Sequence, residues 1–594
     1  MSRAPAKASS AGQRCPFLGQ TPSDANGPAG RTVWPFVDWR KANRIVTNLR
    51  QRIFKAARAN DLRKVRSLQK LMLRSRSNIL MSVRRVTQDN AGRNTPGVDK
   101  VLVKTPAARG RLVDLLSTHQ PWRATPVRRV YIAKKSDSSK RRPLGIPTIL
   151  VRCLQAMVKN ALEPEWESRF EGSSYGFRPG RNAHDAIAAI YNFARAGTRK
   201  KVVVDADIKG AFDNICQDFL LKTLGEVPGR ALIQQWLKAG YLEDGRHHDT
   251  PKGTPQGGVI SPLLLNIALH GMEAALGVKH DSEGANRAKR AVVRYADDFV
   301  VFCESTEDAL VVREQILPPW LAERGLSLSE EKTRIVPLTE GFDFLSFNVR
   351  RYANPQTTKS GFKLLIEPSK KAVLGKVKEL RSAWLALRGH SVKAVLWKLN
   401  PIIRGWANYN RTVVANQTFK KLDHWMFRRA VRYAKHTHPH KSWKWMRKRY
   451  WSRWNKERED RWVFGDKQSG KYLVKFSWFK IERHELVRGR SSPDDPELRD
   501  YWWERQKVNG KHLSGGDVDM ANDQGWVCRL CGMDLINGEE RHRHHTIPRA
   551  FGGSNARSNR ELVHLYCHQQ ETKRQFAAVK QDPPADELHD SCCE

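Results

Sequence analysis

The chain has 594 residues, with 105 Lys and Arg against 61 Asp and Glu, which gives a formal net charge of +44. Hydrophobic residues make up 40% of the chain and aromatic residues 9%, enough for several packed cores, so a wholly disordered protein is excluded. No apolar run is long enough to span a membrane and no secretory signal is recognisable, so the basic charge indicates nucleic acid as the polyanionic partner. Nine cysteines in so long a chain do not form a disulfide framework, which predicts a reducing compartment.

Composition and periodicity change along the chain and predict a multidomain α+β protein. Apolar residues recur every three or four positions in the helical segments, whereas short β-branched runs alternate with helices in the long middle segment. The predicted segments are a flexible basic tail (1–30), a helical extension (31–95), an α+β domain (96–350), a helical domain (351–454), a charged, Trp-bearing segment (455–522) and a small module that ends in a flexible tail (523–594).

Acidic residues follow two apolar runs of the α+β domain. The segment Arg294–Phe302, RYADDFVVF, predicts a hairpin that carries Asp297 and Asp298 at its tip, and an upstream apolar run ends with Asp205 and Asp207. Adjacent carboxylates repel each other unless a cation neutralises them, and three carboxylates on two neighbouring strands suit two-metal phosphoryl transfer. Asp205 and Asp207 point the same way on a strand, so alternation does not choose between them. A solvated turn is the simpler role for an isolated Asp-Asp pair.

Two other segments of this domain are candidates for contact with a nucleotide. The run GTPQGG at 253–258 is a glycine-rich loop that enters a helix, so its backbone can approach a nucleotide and Gln256 can contact it. A basic hairpin predicted between Arg128 and Pro143 could hold a triphosphate, although an exposed basic turn is the alternative.

These motifs, taken together, resemble the reverse transcriptases encoded by bacterial group II introns. The resemblance covers roughly residues 31–350 and implies the right-hand fingers and palm of an RNA-directed DNA polymerase. The matching motifs, in the family's order, are TPGVD (95–99), the RRVYI and RRPLGIP arms of the basic hairpin, SYGFRPGRNAHDA (174–186), VVDADIKGAFDNI (203–215), GTPQGG (253–258), RYADD (294–298), EKTRI (331–335) and GFDFLSF (341–347).

The resemblance also implies roles for individual residues. It identifies Asp207, which precedes Ile-Lys-Gly, as the metal ligand of its strand, together with Asp297 and Asp298 as ligands of two Mg²⁺ ions. Phe212 matches the ring that stacks under the sugar and excludes a ribose 2′-hydroxyl, which favours deoxynucleotides. The other residues implied to contact the incoming dNTP are Lys134, Arg142, Gln256 and Lys332.

The helical region after the palm is strongly basic and rich in tryptophan. Residues 419–461 contain fifteen Lys and Arg against four acids, with Trp425, Trp443, Trp445, Trp451 and Trp454 among them. Indoles can stack on unpaired bases, although core packing is the simpler role for any one of them.

The run LNPIIRGWANY at 399–409 resembles the start of the family's maturase, or thumb, domain, which implies binding to intron RNA and assistance in splicing. Arg404, Trp406 and Tyr409 match this motif and are expected to be structural elements. The segment 455–522 is expected, from its position alone, to bind DNA.

Two short-spaced ligand pairs predict a zinc site in the C-terminal module. Cys528 and Cys531 form one pair, His564 and Cys567 form the other, and both spacings suit tetrahedral Zn²⁺ in a structural role. Because both pairs are present, the prediction is stronger than either pair alone would make it.

The loop between the pairs resembles HNH nucleases, which have a ββα-metal fold. Its RHHTIPRAFGG run at 543–553 implies that His545 is the general base that activates water. His544 and His568 would hold one Mg²⁺-like ion, and Asn559 would orient the base. A surface or zinc-associated histidine is the alternative for each member of the His-His pair.

The sequence therefore resembles a group II intron-encoded reverse transcriptase and maturase with an HNH endonuclease domain. The expected partners are group II intron RNA, target DNA and dNTPs, with no membrane, and the expected location is the bacterial cytoplasm, in association with the nucleoid during action on DNA. A non-enzymatic RNA-binding splicing factor with a reverse transcriptase-like fold is the main alternative, which intact Asp207, Asp297 and Asp298 disfavour. A reverse transcriptase used in defence or diversity generation is disfavoured because the maturase-like and HNH-like regions occur together.

Overall fold

The computed structural model describes residues 31–118, 122–134, 137–280, 286, 288–354, 356, 361–510, 513 and 515–581. The chain divides into two compact units: unit 1 comprises residues 1–166, 224–261 and 499–594, and unit 2 comprises residues 167–223 and 262–498. The predicted tails, residues 1–30 and the end of the chain from 582, lie outside the described residues. Within the described part of the chain, no helix has the length and apolar character that crossing a membrane would require.

Helices dominate the first part of the chain, as the periodicity predicts. Asp38 and Asp61 cap two of these helices by accepting hydrogen bonds from the backbone N–H groups of Lys41 and Lys64. The elements are α1 (Trp39–Arg58), α2 (Leu62–Arg74), α3 (Arg76–Arg84), α4 (Pro106–Ser117), β1 (Val127–Lys134), β2 (Asp137–Ile146) and α5 (Ile149–Glu167).

The middle of the chain alternates short helices with strands. Its elements are α6 (Ala183–Ala194), β3 (Val202–Asp207), α7 (Ala211–Asn214), α8 (Gln217–Leu224), α9 (Arg230–Lys238), β4 (Tyr241–Glu243), β5 (Arg246–His248), α10 (Ser261–Ala268), α11 (Met272–Ala275), β6 (Ala291–Tyr295), β7 (Asp298–Cys303), α12 (Thr306–Val311), α13 (Leu317–Ala322), β8 (Arg334–Pro337), β9 (Phe342–Phe344), β10 (Phe347–Ala353) and β11 (Phe362–Pro368).

The last part of the chain is helical and then ends in a small ββα module. Its elements are α14 (Lys370–Ala386), α15 (Val392–Asn410), α16 (Asn416–Thr437), α17 (Trp443–Tyr450), β12 (Trp451–Ser452), β13 (Val463–Phe464), α18 (Arg499–Gly510), α19 (Gly515–Asp523), β14 (Arg541–His545), β15 (Arg560–His564) and α20 (Leu565–Gln581). Residues 362–368 form strand β11, which pairs along its whole length with β10, and the helices begin at Lys370.

Unit 1 contains the predicted basic hairpin. Strands β1 and β2 pair antiparallel from Arg128 opposite Ile146 to Lys134 opposite Asp137, and β1 also runs parallel to β4. The resulting sheet has the strand order β2-β1-β4-β5.

Unit 2 is built on a buried antiparallel sheet with the order β6-β7-β3-β8. The residues of 299–303 in β7 and Val203 and Val204 in β3 are completely buried, which explains their near-continuous apolar sequence. Helices α14 to α17 pack around a separate aromatic and aliphatic core that includes Leu399, Phe419 and Phe476. The predicted combination of an α+β domain, a helical domain and a small ββα module is therefore confirmed.

Candidate active sites and metal centres

Register within the unit 2 sheet brings the predicted polymerase carboxylates together. Asp207 at the end of β3 lies directly opposite Asp298 at the start of β7. Tyr295 pairs with Asp298 across the β6–β7 hairpin, so Ala296 and Asp297 form its two-residue turn. Ala296 has a φ of 60°, the left-handed conformation that a tight hairpin turn requires. The hairpin therefore carries its two acids to the end of β3, as the sequence predicts.

The two acids of strand β3 have different partners. Asp207 accepts a hydrogen bond from Lys332 Nζ at 2.5 Å, whereas Asp205 accepts one from Arg334 Nη2 at 3.3 Å. Both acids therefore form ion pairs, but Asp207 lies opposite Asp298, whereas Asp205 lies opposite Val300 and pairs across to Arg334 of β8. The register of β7 thus places Asp207, and not Asp205, opposite an acid of the hairpin.

Charge repulsion is concentrated at Asp298. Partial loss of hydration raises its pKa to about 7, with further increases from the neighbouring negative charges of Asp297 and Asp207, while Lys332 opposes the shift. Carboxylates that repel one another in this way form a favourable environment for divalent cations.

In metal-free buffer, Asp298→Asn is expected to raise the thermal unfolding midpoint at pH 8. The folded-state pKa lies above the ordinary value for Asp, so the charged carboxyl destabilises the folded protein, and this penalty grows as pH rises through about 7 and vanishes below about 4. Because Asp298 is exposed, solvent screening limits the effect to about 1 kcal/mol, or about 2 °C. Differential scanning fluorimetry from pH 4 to 8 measures it, with Glu330→Gln as an exposed control; a difference that does not depend on pH would contradict the raised pKa of Asp298.

The segment around Gly176 packs against the hairpin turn and supports it. A Cβ on Gly176 would lie 2.3 Å from Ala296 N, so only glycine allows the two backbones to approach this closely. The buried Arg294 donates hydrogen bonds to Asn266 Oδ1 at 3.0 Å and to Ala296 O at 3.2 Å. Asn266 in turn donates to Gly176 O at 2.9 Å. The glycine in the SYGFRP run is the signal that could have identified this close contact.

Phe212 is half-buried next to a backbone outlier. Phe177 has a φ of 60°, which is rare for a bulky side chain, and its ring lies edge-on to that of Phe212 with 6.3 Å between centroids. Phe177 is thus a neighbour of the predicted sugar-contacting ring, a position that its sequence motif does not indicate.

The remaining predicted nucleotide contacts belong to unit 1. Lys134 is the last residue of β1, and the exposed Arg142 lies on β2 opposite Ile132. The loop that contains Gln256 is attached to the same hairpin, since Gly145 N–H donates to Gln256 O at 2.7 Å. A Cβ on Gly257 would lie 2.9 Å from Gly145 O, which explains the glycine that follows Gln256.

The four predicted zinc ligands converge. Their ligand atoms all lie within 4.8 Å of one another, and Cys528, Cys531, His564 and Cys567 are all buried. His564 Nδ1 lies 3.4 Å from Cys531 Sγ, and its other ring nitrogen lies 3.1 Å from the carbonyl oxygen of Asp534. A proton on that second nitrogen leaves Nδ1 free to bind a metal, the usual outer-shell arrangement at histidine ligands. Three thiols and one imidazole fit a structural zinc site.

The C-terminal module has the ββα form that the HNH resemblance implies, with β14 paired antiparallel to β15 and α20 directly following. The ring of His544 lies 5.2 Å from that of His568, centroid to centroid. Burial lowers the pKa of His544 to about 4, with help from the positive charges of His568 and His545, and burial likewise lowers the pKa of His568. Both rings are therefore neutral at pH 7 and able to bind a cation.

Asn559 is placed differently from the expected role. Its side chain accepts from Ile547 N at 2.7 Å and donates to Ile547 O at 3.0 Å and to Ser554 O at 2.8 Å. These bonds fasten the loop after His545, whereas the ring of His545 lies 2.9 Å from Asn555 Oδ1. Asn559 therefore positions the loop that carries Asn555 and does not orient the imidazole directly. An asparagine next to a Gly-Gly-Ser loop is a weak sequence signal, which is why Asn555 was missed.

The helical region of unit 2 carries a cluster of arginines whose charges repel one another. Partial burial and the positive charges of four neighbours lower the pKa of Arg429. The neighbours are Arg432, Arg381, Arg388 and Arg428, which come from α14, α16 and the turn after α14. A polyanion would relieve this repulsion.

The tryptophans of the same region divide into core and surface residues. Trp451 is buried, whereas Trp443 and Trp445 are exposed. Trp397 on α15 is 79% exposed and was not singled out from the sequence. In the maturase-like run, Trp406 packs edge-on against Phe419 and Phe476, Tyr409 stacks on Phe347, and Arg404 is exposed.

Comparison with known proteins covers most of the described chain. Four family models match: the N-terminal domain of reverse transcriptase at residues 34–116, reverse transcriptase (RNA-dependent DNA polymerase) at 132–349, the group II intron maturase-specific domain at 370–451, and HNH endonuclease at 528–574.

Related proteins agree with these matches. Protein YkfC of Escherichia coli (strain K12) is 33% identical over 309 residues, which cover 46% of this chain and 80% of the relative. The group II intron-encoded protein LtrA of Lactococcus lactis subsp. cremoris is 34% identical over 295 residues, which cover 40% of this chain and 49% of the relative, so the match spans about half of LtrA. Maturase-like protein 1 of Euglena gracilis is 26% identical over 381 residues, which cover 63% of this chain and 76% of the relative. The chain belongs to the group II intron-encoded reverse transcriptase and maturase proteins that carry an HNH endonuclease domain.

Proposed function

We propose that this protein assists splicing of its group II intron RNA and then, with the excised RNA, inserts a DNA copy of it into a DNA target. The HNH module nicks one DNA strand, and the 3′-hydroxyl so formed primes DNA synthesis on the intron RNA. The observation that carries the proposal is the presence in one chain of Asp207 opposite Asp298 on the sheet and of His544 beside His568 on the ββα module.

In the polymerase site, Asp207, Asp297 and Asp298 would hold Mg²⁺. When bound, two such ions would activate the primer 3′-hydroxyl for attack on the α-phosphate of the dNTP and stabilise the charge of the leaving pyrophosphate. Lys332 keeps one oxygen of Asp207 in a fixed direction through its 2.5 Å hydrogen bond. Phe212, supported by Phe177, would contact the sugar and disfavour ribonucleotides.

The triphosphate of the incoming dNTP would contact Lys134, Arg142 and Gln256 of unit 1. The basic strands β1 and β2 suit this role because guanidinium and ammonium groups bind phosphate oxygens. The glycine-rich loop at 253–258 suits it because its backbone allows a nucleotide to approach closely. The hydrogen bond between Gly145 and Gln256 keeps these two elements together.

In the nuclease site, His545 would take a proton from the attacking water. A proton on its Nε2 can be donated to Asn555 Oδ1 at 2.9 Å, which leaves Nδ1 as the basic nitrogen. His544 and His568 would hold a divalent ion that, when bound, stabilises charge on the scissile phosphate. Zn²⁺ bound by Cys528, Cys531, His564 and Cys567 would have a structural role.

The basic helical region would bind the intron RNA. Its arginine cluster around Arg429 can contact phosphates, and exposed Trp397, Trp443 and Trp445 can stack on unpaired bases. Residues 455–522 would contact target DNA. Work on an intron transcript and on chromosomal DNA would place the protein in the cytoplasm and nucleoid of a bacterial cell.

Purified full-length protein, intron RNA, target DNA, Mg²⁺ and dNTPs provide a direct test. We expect nicking of the target and a DNA product that grows from the nick. Nicking without synthesis, or synthesis that never uses the nicked strand, would contradict the proposed joint function.

A further inference from the structure

A buried arginine from the N-terminal helices lies against the zinc site. Arg84, at the end of α3, is 2% exposed. Its Nη2 lies 3.3 Å from Cys567 Sγ and 3.5 Å from Glu539 Oε2, and its Nε lies 3.7 Å from Asp89 Oδ2. Burial of a guanidinium is costly unless anionic partners surround it, so this arrangement needs the C-terminal module to be in place.

The charge of an occupied zinc site matches this cation. Three thiolates and a neutral imidazole around a dication carry one net negative charge. That charge is buried together with the four ligands, and Arg84 provides one positive charge at hydrogen-bonding distance from Cys567. The N-terminal domain therefore contributes an outer-shell partner to a site whose ligands all come from the module.

Other contacts join the N-terminal helical segment to the C-terminal module within unit 1. Asn43 of α1 donates to the carbonyl oxygen of Gly532, the residue after Cys531, at 2.9 Å. The indole N–H of Trp39 donates to Gln570 of α20 at 2.7 Å, and the Arg84 guanidinium lies over the Trp39 ring at 5.1 Å from its centroid. Gln570 also donates to the backbone carbonyl of Pro35 at 2.6 Å. The contacts thus involve the zinc knuckle and the helix that carries His568.

We propose that Arg84 couples zinc binding to docking of the nuclease module on the N-terminal helical domain, so that each stabilises the other. Coupling of this kind is reciprocal: if docking tightens zinc binding, zinc must tighten docking by the same factor. Its consequence for function is that the module is held by the N-terminal domain and is not a freely tethered domain. The inference rests on the zinc occupancy proposed above.

Zinc release from the full-length protein tests whether the docking contacts tighten zinc binding. Zinc content is measured first, and then its transfer to an excess of a colorimetric chelator is followed for the wild type, Arg84→Gln, Arg84→Lys and the control Arg63→Gln, an exposed arginine of α2. Loss of an outer-shell partner typically weakens metal binding by about 10–100-fold, so Arg84→Gln should release zinc about that much faster. Arg84→Lys, which keeps the charge, should be intermediate.

A second variant guards against misfolding of Arg84→Gln. Asn43→Ala removes a docking hydrogen bond without touching a thiolate, and it should also speed zinc release, by a smaller factor. Identical release from Arg84→Gln, Asn43→Ala and Arg63→Gln would overturn the coupling while leaving the zinc site itself intact. A folded chain that contains no zinc would overturn both.

Hydrogen exchange tests the reciprocal effect, that bound zinc stabilises docking of the module on the N-terminal helices. Removal of zinc should speed amide exchange in α1 and α3, which carry Trp39, Asn43 and Arg84, and leave the buried strand β3 of unit 2 unchanged. Unchanged exchange in α1 and α3 after complete zinc removal would contradict the coupling.

Discussion

Asp207→Ala is expected to abolish DNA synthesis on an RNA template, with a loss of at least about 10³-fold in rate. Removal of this carboxylate would take a ligand from the proposed Mg²⁺ site, which would stabilise several kcal/mol of transition-state charge, and each 1.4 kcal/mol corresponds to about tenfold. It also removes the carboxylate that lies across the sheet from Asp298 and the acceptor of the Lys332 hydrogen bond. Extension of a supplied DNA primer on a defined RNA template measures the effect.

Asp205→Asn is the matched control for this variant. Asp205 lies two residues earlier on the same strand, but its ion pair is with Arg334 and it does not face Asp298. The control should extend the primer within a few-fold of the wild type, and both variants should still promote splicing and nick DNA. Equal loss of synthesis in both variants would mean that the site depends on strand β3 as a whole; loss of splicing by folded Asp207→Ala would contradict the separation of functions.

His545→Ala is expected to lower the rate of DNA nicking by about 10²–10⁴-fold, the range that a positioned general base contributes. The loop contacts of Asn559 do not depend on the His545 ring, so the ββα module should remain folded. Asn555→Ala, which removes the group 2.9 Å from the ring, should cause a smaller loss of about tenfold. Conversion of supercoiled target plasmid to the open circle provides the rate.

Primer extension provides the internal control for the nuclease variant. His545→Ala should extend a supplied primer at the wild-type rate, because the polymerase carboxylates belong to the other unit of the chain. Nicking that persists at the wild-type rate would show that another group deprotonates the water.

The polymerase carboxylates could be predicted from the sequence because strand alternation and hairpin geometry are local. The pair Asp297 and Asp298 follows an apolar strand directly, and a two-residue turn places them at its end. The distinction between Asp205 and Asp207 required the register of the neighbouring strand β7, since both acids pair with a basic residue but only Asp207 lies opposite Asp298. Periodicity within one strand does not contain that information.

Residues that act through tertiary contacts escaped the sequence analysis. Gly176 is needed because the backbone of Tyr295 and Ala296 approaches it, and these residues lie more than a hundred positions away in the sequence. Asn555, which has no predicted role, lies beside the His545 ring, while Asn559 holds the loop that follows His545, because loop geometry and not spacing decides which amide meets His545. Arg84 is one of 105 basic residues, and its burial beside Cys567 has no local sequence signal.

The zinc ligands show the opposite case. Cys528 and Cys531 lie at a turn, and His564 and Cys567 lie where β15 meets α20, so each short spacing keeps two ligands close and the convergence of the four could be predicted from spacing. The sequence composition indicates that some of the tryptophans form a stacking surface, but it does not show which ones. Only the structure shows that Trp443 is exposed and Trp451 is buried.

The net charge of +44 describes a nucleic-acid-binding protein, and the central claim is that its two active sites act in sequence on one DNA end. The most direct measurement is the sequence of the 5′ junction of cDNA made by the wild-type protein with intron RNA and an intact DNA target. We predict cDNA covalently continuous with the cut DNA strand, absent with His545→Ala on intact DNA and restored when that variant receives pre-nicked DNA. Junctions formed equally well by His545→Ala on intact DNA, or cDNA that is never joined to the target strand, would contradict the account.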